Sequence, residues 1–133
     1  MRVFADTHFY AALLSSRDSA HGAAVRWQAS PEIREVVTTS WVLVELADCM
    51  NLPHEREVTA RFIAALRQAP QTVVVPVSEA VLWRGFELYR GRNDKEWSLT
   101  DCISFVVMKD EGLSRALTGD HHFEQAGFVA LLM

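Results

Sequence analysis

The strongest constraint on this chain is a set of short segments that are apolar or β-branched at every position: Val3-Phe4-Ala5, Val36-Val37-Thr38, Val73-Val74-Val75, Ala116-Leu117-Thr118 and Phe128 to Leu132. Strands of this kind have no face to offer water, so a sheet built from them needs cover on both sides. Helical stretches lie between them. Phe9 to Leu14 is made of good helix formers, and His21 to Ala29 carries Ala23, Ala24, Val25 and Trp27 before ending at Ser30-Pro31. Trp41 to Met50 is apolar except at Glu45 and Asp48, with Thr39 or Ser40 as its cap and Pro53 as its stop. His54 to Gln68 places Val58, Phe62, Ile63, Ala65 and Leu66 at helical spacing. Ser78 caps a further helix reaching Tyr89, and Ser98 opens another that closes near Gly112. Strands alternating with helices predict a parallel sheet between helical layers, a three-layer α/β/α sandwich.

A length of 133 residues and the absence of any linker-like stretch lead us to expect one domain over residues 1–133. Half of the residues are hydrophobic, enough for a chain of this size to bury roughly two-thirds of its unfolded surface. Cys49 and Cys102 are far apart and outside any CxxC pattern, which speaks against a cysteine zinc site or a disulfide framework. The apolar run before Asp6 is too short for a signal peptide or a membrane span, so no membrane association and a cytoplasmic location are expected. A net charge of −4 argues against a broad basic face for nucleic acid. Clustered carboxylates holding divalent cations would reverse that field locally.

Four acids stand out. Asp6 directly follows the first strand and Asp120 lies two residues beyond the fourth, the kind of address where open parallel sheets bind ligands. Glu45 and Asp101 occupy early turns of apolar helices. Asp6 and Asp120 also suit helix N-caps, and Ser98-Leu99-Thr100-Asp101 matches a capping box. Glu45 interrupts an apolar helix, where an unpaired carboxylate is costly and an arginine partner is the ordinary explanation. If all four meet, their repulsion calls for cations, and hard oxygen donors select Mg2+ or Mn2+. Such ions orient an attacking water and stabilise a leaving oxygen on phosphorus.

The segments Val3-Phe4-Ala5-Asp6-Thr7, Thr39 to Leu46, Ser98 to Met108 and Ala116 to Phe128 together resemble the PIN domain family, and within it the small VapC-type toxin ribonucleases. The resemblance spans nearly the whole chain. It implies a parallel sheet of order 3-2-1-4-5, a metal site of Asp6, Glu45, Asp101 and Asp120, and metal-dependent endonucleolytic cleavage of RNA. It further implies a small antitoxin protein as inhibitor and a homodimer, for which Trp41 to Met50 and His54 to Gln68 are the expected surface. By the same likeness Asp6 and Asp101 are core ligands, Glu45 a ligand or a base acting through water, and Asp120 an outer ligand. Thr7, Ser98 and Thr118 are expected around them. Gly119 departs from the alanine often found in the motif, and His121 from an arginine.

Arg90, Arg92 and Lys95, with Trp97 as a base-stacking ring, are the candidate RNA contact. His121 and His122 suggest a metal pair, but neighbours on one helix point apart, and solvated side chains are expected. Small core side chains account for both cysteines. Two other readings stand beside the nuclease. One is a non-catalytic module on the same fold; the other is a phosphotransfer enzyme, for which Asp6-Thr7-His8 lacks a second aspartate.

Overall fold

The structure, a computed structural model, describes residues 1–133. Five parallel strands form one sheet in the order β3-β2-β1-β4-β5, with β1 at Arg2–Ala5, β2 at Glu35–Thr39, β3 at Thr72–Val75, β4 at Arg115–Leu117 and β5 at Val129–Ala130. The central strand is the driest. Val3, Phe4 and Ala5 of β1 are fully buried, and each large side chain enclosed in this way contributes roughly 1.5–3 kcal/mol.

The helices are α1 (Thr7–Leu14), α2 (His21–Gln28), α3 (Ser40–Cys49), α4 (Pro53–Gln68), α5 (Glu79–Gly91), α6 (Leu99–Asp110) and α7 (His121–Gln125). Right-handed crossovers put α1 to α4 on one face of the sheet and α5 to α7 on the other. Helix contacts divide the same way: α1 packs on α2 and α3, α3 on α4, α5 on α6, and α6 on α7. From opposite layers, α3 and α6 also touch. The chain runs outward from β1 to β3 and then returns to β4 on the other side of β1. That reversal opens a crevice at the carboxyl ends of β1 and β4.

Several elements differ from the sequence expectation. β3 is an edge strand with Val73 40% exposed, so its apolar run is not buried on both faces. β5 has two residues rather than five, and β4 ends at Leu117. Pro53 begins α4 as well as closing α3, because a proline is tolerated in a first helical turn. Helix α3 does turn a face to water: Trp41 is 37% and Val44 47% exposed. Cys49 on that helix is exposed, not a core residue, whereas Cys102 is buried. No helix is long and apolar enough to cross a membrane.

The second helical layer is held close by Gly85 on α5. A Cβ there would lie 2.6 Å from Ile103 Cγ1 and 3.2 Å from the Ile103 backbone Cα on α6. Gly85→Ala gains helix propensity but overpacks this contact, so the urea unfolding midpoint should fall by the equivalent of about 1–2 kcal/mol. An unchanged or raised midpoint would mean that the two helices do not meet at this residue.

Candidate active site

The crevice at the β1 and β4 carboxyl ends is lined with acids. Asp6 leaves β1 and stands before α1 in extended backbone, yet its side chain makes no capping hydrogen bond. It is 4% exposed. The hydroxyl of Thr118 donates to Asp6 Oδ2 at 3.1 Å and accepts the backbone N–H of Asp120 at 3.0 Å. One hydroxyl thus ties the first acid to the last. Asp120 in turn caps α7, its Oδ1 accepting from the His122 N–H at 2.9 Å.

Asp101 does what the capping pattern requires and more. Ser98 Oγ accepts from the Asp101 N–H at 3.0 Å, and Asp101 Oδ2 accepts from the Ser98 N–H at 3.1 Å. The same Oδ2 lies 3.1 Å from His122 Nδ1. Burial first, then the Asp120 charge, raises the Asp101 pKa, while the Ser98 N–H and His122 pull it down. Glu45, half-buried on α3, has no arginine partner.

Electrostatic coupling links all four. Burial pushes the Asp6 carboxyl up to about 7; the charges of Asp101 and Glu45 add to it, and the Thr7 N–H and Thr118 hydroxyl oppose it. No lysine or arginine forms an ion pair with Asp6, Glu45, Asp101 or Asp120. Only His121 and His122 come within ion-pair reach of these acids. A partly buried crevice of carboxylates without a fixed counter-charge fits a hard dication, which would relieve both repulsion and desolvation.

Around the acids the expected residues fare differently. Thr118 makes a turn hydrogen bond with the Asp120 N–H and also donates to the Asp6 carboxylate, and Ser98 serves as the cap of α6. The Thr7 hydroxyl is buried without a partner, so Thr7 reaches Asp6 through its backbone N–H alone. Trp97 is 6% exposed, with Phe105 edge-on at 5.0 Å, its indole N–H on Gln125 and the Arg92 guanidinium over its ring. It is a core residue, not an open stacking platform, because its faces are already occupied. Arg90 pairs with Glu87 and Arg92 with Asp94, which also lies 4.0 Å from Lys95. These cations are partly neutralised by their own neighbours.

Two histidines belong to the site that sequence reasoning did not place there. His122 contacts Asp101 and Asp120 instead of water, its side chain only 17% exposed. A capping aspartate followed by a very short helix was the available signal. His8 sits at the rim, where its Nδ1 accepts the Gly119 N–H at 3.2 Å. A Cβ on residue 119 would come within 2.8 Å of the His8 ring, so the glycine makes room for it.

A parallel sheet with electrostatically coupled acids at its reversal point defines an α/β protein with an acidic crevice. The PIN domain pattern matches residues 3–129, and the chain belongs to the PIN domain family. It is 34% identical over 130 residues to the 23S rRNA-specific endonuclease VapC20 of Mycobacterium tuberculosis, covering 96% of this chain and 95% of the relative. The crystal structure of that protein, described as a sarcin-ricin loop cleaving toxin, superimposes with a TM-score of 0.86 at 32% identity over 96% of each chain. FitAcB from Neisseria gonorrhoeae shares the fold with a TM-score of 0.64 at 20% identity, over 98% of this chain and 95% of its own.

The raised Asp6 pKa makes a stability prediction for the metal-free protein. Between the unfolded pKa near 4 and the folded value near 7, the native state holds a proton that the unfolded state has released. Native stability therefore falls as pH rises through that window and levels off above it. Asp6→Asn removes this penalty and should stabilise the metal-free protein above pH 7 by up to about 4 kcal/mol, with little gain at pH 4. Thermal unfolding across pH in a chelator checks it; a gain independent of pH contradicts the buried-charge explanation.

Proposed function

We propose that this chain is a divalent-metal-dependent endoribonuclease of the toxin type, with Asp6, Glu45, Asp101 and Asp120 as its working acids. The observation that carries the reading is the acid cluster at the sheet reversal with no lysine or arginine to neutralise it. Asp6 and Asp101 are the ligand pair, the two most buried of the four acids. Mg2+ or Mn2+, when bound, supplies Lewis acidity to the phosphate and to the attacking water. Glu45, less enclosed, accepts that water's proton, and Asp120 holds the outer edge of the pocket. Thr118 keeps Asp6 and the Asp120 backbone in register through its two hydrogen bonds.

The substrate class is structured RNA, and likeness to a 23S rRNA endonuclease makes ribosomal RNA the first to test. The net charge of −4 restricts phosphate contact to local cations, of which Arg90, Arg92 and Lys95 are our candidates. We read residues 1–133 as one domain that works in the cytoplasm under control of a small antitoxin. The exposed Trp41 and Val44 on α3 and Val58 on α4 supply apolar surface for a homodimer.

Purified protein incubated with ribosomal RNA should cut in Mn2+ or Mg2+ and stop in EDTA. Asp101→Asn should lower the cleavage rate at least about 100-fold, beyond the loss from an outer metal partner, with circular dichroism unchanged. Full activity in Asp101→Asn, or cutting that survives EDTA, would overturn the scheme.

A further inference from the structure

The acid pocket has a nitrogen-bearing edge whose donors differ in hardness from the carboxylates beside them. His122 Nδ1 lies 3.1 Å from Asp101 Oδ2 and 3.4 Å from Asp120 Oδ1, and His121 Nδ1 lies 3.7 Å from Asp120 Oδ1. Donor atoms of Asp120, His121 and His122 all fall within 4.8 Å of one another. The two imidazoles are neighbours with ring centroids 4.5 Å apart, so adjacency in sequence does not send them to opposite sides. Asp120 is in extended backbone and the helix begins only after it, which lets three consecutive side chains converge.

Ligand spacing identifies the kind of ion. A tetrahedral zinc ion with ligands at about 2.0–2.1 Å sets ligand-to-ligand edges of about 3.4 Å. Asp120 Oδ1 lies 3.4 Å from His122 Nδ1 and 3.7 Å from His121 Nδ1, at and just above that edge. Two imidazoles with a carboxylate suit zinc and its transition-metal neighbours, while Mg2+ prefers oxygen throughout. We propose that Asp120, His121 and His122 form a transition-metal site selective for Zn2+ over Mg2+, with Asp101 against His122 at its edge.

Sharing gives the site a consequence. Zinc held here draws Asp120 away from the hard-cation pocket, so it acts as an inhibitor of Mn2+-dependent cleavage. That consequence rests on the nuclease reading, but the binding does not.

The test is calorimetric titration of Zn2+ into the full chain in excess Mg2+, with circular dichroism to verify the fold of each variant. One Zn2+ per chain should bind. His121→Gln and His122→Gln should each weaken it at least about tenfold, the smallest loss expected when a metal loses a partner. Asp6→Asn should keep its zinc affinity, since that acid lies outside the set. No zinc binding, equal affinity in wild type and both histidine variants, or loss in Asp6→Asn overturns the site. Binding with the stated losses in a protein that cuts no RNA supports the site and overturns only the nuclease reading.

Discussion

The structure depends on uncompensated negative charge being buried at one point, where β1 ends and the chain has come back to β4. Asp6 stands there almost without solvent, held by a single side-chain hydrogen bond from Thr118 and facing the charges of Asp101 and Glu45. Removing a carboxylate from water without a counter-ion is among the most costly arrangements a small domain can make. Here that cost is concentrated where the sheet has no helix crossing over it. A bound dication would offset it directly, which would make site chemistry and fold stability one problem in this chain.

The elements around that point serve to hold it. β1 is the central strand and the most deeply enclosed, so the backbone leading to Asp6 has little freedom. Helices α3 and α6 come from opposite layers yet touch, and each carries one acid in an early turn. The Ser98 and Asp101 capping box fixes the entry of α6, and the same carboxylate oxygen then faces His122. A local helix-capping device thus also aims a side chain of the pocket. This dual use explains why the pattern around Asp101 reads equally well as structure and as chemistry.

Much of this was legible in the sequence because it rests on short-range rules. Uniformly apolar strands demanded a covered parallel sheet, and the Thr39, Ser78 and Ser98 caps lie where hydroxyls precede apolar periodicity. What failed depended on tertiary placement. Val73-Val74-Val75 has the composition of a central strand but sits at the edge. Trp97 lies in a polar loop yet turns inward to Phe105 and Gln125. The exposed face of α3 and the turn that folds His122 onto Asp101 are likewise set by which helices pack nearby, and spacing along one helix carries no information on that. Gly119 appeared as a departure from a family motif; its meaning emerged only with His8 lying where a side chain would be.

The most direct test of the central claim is a crystal structure of the protein grown with Mn2+, using anomalous scattering to find the ion. The account requires a manganese peak in the crevice beyond β1 and β4, about 2.1 Å from carboxylate oxygens of both Asp6 and Asp101. Manganese found only elsewhere on the surface, with Asp6 still dry and facing no cation, would contradict it.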